Sequence, residues 1–430
     1  MTEERCSTCG VSANNLKRCA GCRLPGIAYC SKECQRADWK RHKVDCKLSK
    51  VIDPSSDKLT LSYNHDDTAL QDYDAALKFA KNYMTNLKSL KIRLTQDGMW
   101  KQDEMNSYEM YQKEAVIKFT YDAFDEFLLS TATNLTSLEI ICDECIEKYL
   151  YFFFKDGKIL KRLGESQSLR QLALSNMQVS KISYLPLTTS LQSLQLNGVK
   201  FTKWDGPWGW SQEDCDEMVT RISQLTALVS LNLVTVPLGD HHLEPMLRSL
   251  SSLRHLRISG VWGDSLGDTS RLKGRITNDG CITIASLCPN LHSLELSNQP
   301  RISYAGARFI VQQCPKLRAL LLEYTNVAYS HASQLLDLNE TQSLLVLAVG
   351  PAERTEENIL KALKATGGRC LLYGGSVGLH KAPAHGLSEM EKRQMNHSRS
   401  VLIEASEKQK KATLCYDKYE DLVGVDVRIR

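Results

Sequence analysis

Nine short segments of this chain share one spacing of leucines, and that spacing restricts the fold more than any other feature of the 430 residues. The unit is L-x-x-L-x-L, with Ile or Val allowed at the last position. Copies begin at Leu87, Leu135, Leu169, Leu191, Leu228, Leu253, Leu291, Leu317 and Leu344. The intervals between them are 48, 34, 22, 37, 25, 38, 26 and 27 residues, so the basic period is near 26 and the longer gaps are insertions. The alternating apolar residues at the end of each copy predict a short strand. The stretches between copies carry helical patterns, and GCITIASLCPNL and ARFIVQQCPKL nearly superimpose. Pro289 and Pro315 are helix stops, and Thr277 and Asn278 offer capping side chains. A single strand–helix unit cannot bury its own leucines; stacked neighbours bury them in a continuous core. Cys288 and Cys314 fall in that core and read as buried thiols without chemistry.

The repeat resembles a leucine-rich-repeat solenoid of the ribonuclease-inhibitor or cysteine-containing kind, over Leu87 to Val349. The fold class this implies is α/β, a horseshoe with one strand and one helix per turn. The Asn or Cys usual at the ninth position is replaced by Val199, Val236, Gln299 and Thr325. That leaves the regularity of the turn after each strand open. Several copies carry another apolar residue further on, at Val179, Phe201, Leu238 and Val327.

Insertions interrupt the repeats. Residues 197–214 hold Trp204, Trp208 and Trp210 among Gly and Pro, which reads either as a contact surface or as a cover for the solenoid edge. Others hold Trp262, and Trp100 with Tyr108 and Tyr111. EKYLYFFFKDG, with Tyr149 to Phe154, reads as a buried helix. RCLLYGG is a candidate closing strand.

The second concentration of information lies in the first fifty residues. Cys6, Cys9, Cys19, Cys22, Cys30, Cys34, His42 and Cys46 are spaced C-x2-C-x9-C-x2-C-x7-C-x3-C-x7-H-x3-C. Eight such ligands satisfy two zinc ions in tetrahedral sets of four. A C-x2-C turn puts two sulfurs on one metal, while C-x3-C and H-x3-C put two ligands one helical turn apart. Spacing alone leaves the pairing open, since two consecutive sites meet the same count. MTEERCSTCG has no apolar signal-peptide region, so a reducing, intracellular compartment, nucleus or cytoplasm, is expected rather than disulfides. No apolar run reaches the roughly 18 residues of a membrane span.

CSTCGVSANNLKRCAGCRLPGIAYCSKECQRADWKRHKVDC resembles a MYND-type zinc finger from Cys6 to Cys46. All eight ligand positions match, as do Tyr29, Gln35 and Trp39. The resemblance implies interleaved sites: Cys6, Cys9, Cys30 and Cys34 for one zinc, and Cys19, Cys22, His42 and Cys46 for the other. It also implies a partner, a short proline-containing peptide often of Pro-x-Leu-x-Pro type, held in a groove to which Gln35 and Trp39 contribute. Ala20 stands where a Ser can occur in the family.

These readings divide the chain into a finger (1–48), a linker (49–70), a solenoid (71–380) and a C-terminal cap or partly free tail (381–430). A helix is expected over about 69–83. The net charge of +4 does not predict a nucleic-acid partner. Lys40, Arg41, Lys43 and Lys47 read as a solvated basic face on the finger's last helix. No P-loop, G-x-S-x-G or H-E-x-x-H motif occurs. His241 and His242 read as a solvated loop pair. Asn396-His397-Ser398 matches a fragment of the SET methyltransferase motif but lacks its Cys, Pro and Asn. The expected function is a non-enzymatic protein-interaction adaptor, with peptides at the finger, a second protein at the solenoid and no small-molecule substrate. The alternatives are a substrate receptor of a ubiquitin ligase and a SET-like methyltransferase.

Overall fold

The computed structural model describes residues 5–12, 15–62, 73–94, 121–131, 134–142, 163–165, 167–176, 178–179, 181–201, 210–260, 276–340, 343–344, 346–350 and 371–373. Trp100, Tyr108, Tyr111, Tyr149 to Phe154, Trp204, Trp208, Trp262, Asn396 to Ser398 and the tail from 381 lie outside them. The chain divides into two compact units: residues 1–191 with 199–205, and residues 192–198 with 206–430.

The first unit opens with the finger. A two-residue strand, β1 (Lys17–Arg18), pairs antiparallel with β2 (Ala28–Tyr29). Helix α1 (Lys32–Leu48) follows, and Ser31 starts it by accepting the Cys34 N–H on its hydroxyl. The chain then winds through hydrogen-bonded turns into β3 (Lys58–Ser62), α2 (Tyr73–Tyr83), β4 (Ser89–Leu94), α3 (Tyr121–Thr131), β5 (Ser137–Cys142) and β6 (Gln171–Ser175). These four longer strands are parallel and in register: Leu59, Leu90, Leu138 and Leu172 stack, as do Leu61, Ile92, Ile140 and Leu174. All eight side chains are buried. Tyr73, Ala76, Leu77 and Ala80 form one buried stripe of α2 at helical spacing. A short strand, β7 (Gln178–Val179), follows β6.

Strand β3 corrects the expected linker. Residues 49–57 are ordered turns, with Ile52 donating to the Leu48 carbonyl and Asp53 accepting from both the backbone and the hydroxyl of Ser55. Residues 58–62 add one more strand at the front of the repeats. Leu59 and Leu61 alternate correctly, but no leucine stands three residues ahead of Leu59, so the repeat pattern passes over them.

In the second unit β8 (Ser193–Asn197) is followed in sequence by the short β9 (Lys200–Phe201), which belongs to the first unit and pairs with β7. Next come α4 (Gln212–Ile222), β10 (Ser230–Val234), α5 (Asp240–Leu247), β11 (His255–Ser259), α6 (Asn278–Leu287), β12 (Ser293–Glu295) and α7 (Tyr304–Gln313). The remaining elements are β13 (Ala319–Glu323), α8 (Ala332–Leu338), β14 (Val346–Gly350) and β15 (Leu371–Tyr373). β8 and β10 to β15 are again parallel, and Leu194, Leu231, Leu256, Leu294, Leu320, Leu347 and Leu372 form one stack. Each buried leucine contributes roughly 2–3 kcal/mol. Cys288 and Cys314 cap the ends of α6 and α7 and are buried, which pushes both thiols up to about 12.

The turn after each strand is regular, although the usual ninth-position side chain is missing. Val199, Val236, Gln299 and Thr325 are all buried there. The position before them carries the order. Gly198, Thr235, Gly260 and Asn298 each donate a backbone N–H to the seventh-position carbonyl of the next repeat: Val234, Ser259, Ser297 and Glu323. Asn176, Thr235, Asn298 and Tyr324 hold φ between 52° and 66° at this position, a region that side chains with a Cβ enter at a cost. A Cβ on Gly260 would lie 2.4 Å from the Asn298 carbonyl oxygen. Backbone hydrogen bonds thus perform the ordering that the resemblance assigns to a side chain.

The helix starts are also tied to one another. Asp240 accepts from the backbone and the hydroxyl of Thr277, and Asn278 accepts from the Ser303 and Gly306 backbones. Gly280 and Gly306 leave room for those side chains; a Cβ on Gly280 would sit 2.3 Å from Asp240 Oδ1.

On the other face of the sheet Lys91 pairs with Glu139 at 2.7 Å, and His255 Nδ1 lies 2.8 Å from the Ser293 hydroxyl. Burial, then the neighbouring His292 and Arg254, lowers the His255 pKa to about 4. Below about pH 6.5 the unfolded chain takes up a proton that folded His255 refuses, so stability falls as pH drops from about 6.5 toward 4. About 2 kcal/mol should be lost at pH 5 through this group. Urea midpoints at pH 7 and 5 should differ less for His255→Gln than for the wild type; identical pH slopes would refute the assignment.

Candidate metal centre and peptide groove

The finger has little apolar material. Its fully buried cluster is Cys19, Tyr29 and Cys46, flanked by Cys22, Ile27 and Cys34. What its fold does is bring eight ligand atoms into two groups. Cys6, Cys9, Cys30 and Cys34 form one, and Cys19, Cys22, His42 and Cys46 the other; within each group all ligand atoms lie within 4.8 Å of one another. The interleaved pairing is therefore the one adopted.

The geometry fits zinc. Cys9 to Cys30 and Cys30 to Cys34 are 3.5 Å between sulfurs, and Cys22 Sγ lies 3.3 Å from His42 Nε2. A tetrahedron with Zn–S of about 2.3 Å and Zn–N of about 2.0 Å needs edges of roughly 3.5–3.8 Å. Both sets are thus ready to close on an ion with small shifts. All four ligands of each set come from the protein, the arrangement of a structural site.

Local sequence explains how the ligands arrive. Gly10 and Gly26 take φ of 73°, and Arg23 takes 52° just after Cys22. Arg23 N–H returns to the Cys19 carbonyl, which bends the second Cys pair into a knuckle. Gly21 leaves space for a ligand, because a Cβ there would lie 3.0 Å from Cys46 Sγ. Cys34, His42 and Cys46 come from α1.

In each set one thiol is pulled down and another pushed up. Backbone N–H groups led by Cys9 hold Cys6 at about 6, whereas hydrogen bonds with Cys34, Cys9 and Cys6 push Cys30 to about 12. Burial raises Cys22 to about 12; it opposes ionisation of Cys19 as well, but hydrogen bonds from His42, Gly21 and Cys22 outweigh it and leave that thiol at about 6.

Trp39 is 44% exposed on α1, with its ring edge toward the His42 ring at 6.1 Å. It both packs on a ligand and faces solvent. Gln35 donates from Nε2 to Cys19 Sγ at 3.7 Å. The two residues line an open groove of about 420 Å³ together with Lys32 and Arg36. The sequence reading did not single out those two cations. Their signal was available, since positions 32, 35, 36 and 39 share one helix face.

Arg41 is exposed, as expected of a solvated face, but it is also paired: it donates to buried Asp38 Oδ1 at 2.6 Å and to the Ser7 carbonyl, while Tyr29 donates to Asp38 Oδ2 at 2.8 Å. One reading needs correction. His242 is not solvated. It is buried on α5, accepts the Gly239 N–H on Nδ1 at 3.0 Å and approaches Asp216 at 3.3 Å with Nε2. Only its place at a helix start, which sequence does not fix, makes it a cap.

The family model of the MYND finger matches residues 6–46. Residues 6–46 are a MYND finger. The same segment is similar to curated proteins: 56% identical over 51 residues to SET domain-containing protein 14 of Caenorhabditis elegans, and 52% over 42 residues to SET domain and MYND-type zinc finger protein 6 of Schizosaccharomyces pombe. It is also 41% identical over 46 residues to histone-lysine N-methyltransferase ASHR1 of Arabidopsis thaliana. These matches cover 10–12% of this chain and 8–11% of those proteins, which is the MYND finger alone. Among solved structures the chain is similar to that of the Rad7 and Elc1 complex of yeast, at 13% identity and a TM-score of 0.41, covering 75% of this chain and 63% of that one. An internalin of Listeria monocytogenes gives 16% identity and 0.26, covering 62% and 93%. Among the described residues no helix is long and apolar enough to cross a membrane.

Proposed function

We propose that the chain is a non-enzymatic adaptor whose MYND finger captures proline-containing peptides, of Pro-x-Leu-x-Pro type, while the leucine-rich face binds a second protein. The observation that carries the first half is Trp39, an indole left 44% exposed over a groove although the finger has so little else to bury. A large exposed aromatic ring suits a proline ring and is a typical binding hot spot. Gln35 is held in place by the Cys19 sulfur, so the groove wall is set before a peptide arrives. Zinc acts here by shaping the surface, since neither four-ligand set has a position for a substrate or a reactive water. The methyltransferase activity in one relative's name is not transferred, because the likeness ends with the finger.

Trp39→Ala should lower affinity for a Pro-x-Leu-x-Pro peptide at least tenfold, in line with the loss of an aromatic hot spot. Zinc content should stay at two per chain. Fluorescence anisotropy and elemental analysis on the same preparation decide it; an unchanged affinity would remove the groove from the account.

A further inference from the structure

The groove beside Trp39 has a chemistry that the proline reading does not use. Two of its four lining residues are cations, Lys32 and Arg36. Both are exposed, and neither makes an ion pair or hydrogen bond among the described residues. Arg36 does lie one turn from Glu33 and helps lower that carboxyl, behind the hydrogen bonds Glu33 receives from its own backbone and from Ser31. The other acids of α1 are engaged: Asp38 with Arg41 and Tyr29, Asp45 with Tyr83. Lys40, Lys43 and Lys47 are exposed along the same helix. Lys32 also stands at the N-terminus of α1, where the helix dipole adds to the positive field.

We propose that the MYND finger selects peptides carrying Asp or Glu next to the proline core, with Lys32 and Arg36 contacting the carboxylate while Trp39 holds the proline. The inference rests on the peptide-groove reading and extends it to the ligand's charge. The spacing supports it. Lys32 and Trp39 are seven residues apart on α1, about 10 Å along the axis, a distance that three or four residues of extended peptide cover. The cations are solvated before binding and flank an open groove, so their contribution is long-range and sensitive to salt.

Three labelled peptides with one Pro-Ala-Leu-Ala-Pro core serve as probes: Glu-Glu before the core, Glu-Glu after it, or Gln-Gln on both sides. Each is titrated into the zinc-loaded full chain at about 50 mM salt, where exposed charges are weakly screened. One acidic peptide should bind roughly three- to tenfold tighter than the Gln peptide. That gap should close at about 0.5 M salt and in the Lys32→Gln/Arg36→Gln variant, whose affinity for the Gln peptide stays within twofold. Equal binding of all three, still lost in Trp39→Ala, overturns the charge selection and leaves the groove standing. Binding of none overturns both. A short DNA duplex that binds wild type but not the double variant, with no preference among the peptides, assigns the cations to phosphate and also overturns the proposal.

Discussion

Stripping both metals should unfold the MYND finger while the repeats stay folded. Among the described residues the finger buries few side chains besides its ligands Cys6, Cys19, His42 and Cys46, chiefly Leu24, Ala28 and Tyr29, so zinc supplies much of the free energy that a larger core would supply elsewhere. Structural zinc in modules of this size contributes about 10–16 kcal/mol of apparent binding free energy near neutral pH. In a chelator titration, loss of two zinc ions should coincide with a change in Trp39 fluorescence and with protease cleavage between residues 6 and 46. Acid should act in the same direction. Cys22 and Cys30, pushed up to about 12, are protonated without metal at neutral pH, so binding zinc expels their protons and affinity falls as pH is lowered. Cys30→Ser should remove the Cys6–Cys9–Cys34 site first. A metal-free finger that still resisted protease would contradict this picture.

The second large effect is expected in the leucine stack. Leu294 of β12 lies in register between Leu256 and Leu320 and has no exposed surface. Leu294→Ala leaves a cavity between two repeats and should cost roughly 3–5 kcal/mol. Because each repeat leans only on its neighbours, the loss should weaken the adjoining turns first and broaden the unfolding transition. Ile282 on α6 is 41% exposed and makes a useful control, since Ile282→Ala should change stability little. Hydrogen exchange read along the sequence would locate the weak point; uniform protection loss across both units would argue against neighbour-limited coupling.

Periodicity exposed much of this molecule in advance. The strands beginning with Ser89, Ser137, Ser193, Ser230 and Ser293 fall where L-x-x-L-x-L placed them, because a buried strand in a parallel stack has few ways to be written. The zinc ligands were equally plain, since metal chemistry fixes residue type and spacing together. Features that depend on backbone or on distant partners stayed hidden. The eighth-position turn works through backbone N–H groups, with Thr235 and Asn298 donating as Gly198 and Gly260 do, so no single residue type marks it in the sequence. Asp38 looks like any acid on a charged helix until Tyr29 and Arg41 close on it. Lys32 and Arg36 share a helix face with Gln35 and Trp39, but nothing in their spacing says that this face lines a groove.

The turns between Leu48 and β3 hold one further implication. Tyr83 on α2 donates to Asp45 on α1 at 2.9 Å, and Leu48 and Ile52, at and just past the end of α1, are buried. The finger is thereby riveted to the first repeats instead of swinging on a tether. A ligand that reached from the Trp39 groove to β3 and β4 would meet two fixed points, so its avidity should peak sharply at one spacer length. In that sense the opening of the chain measures distance as well as chemistry.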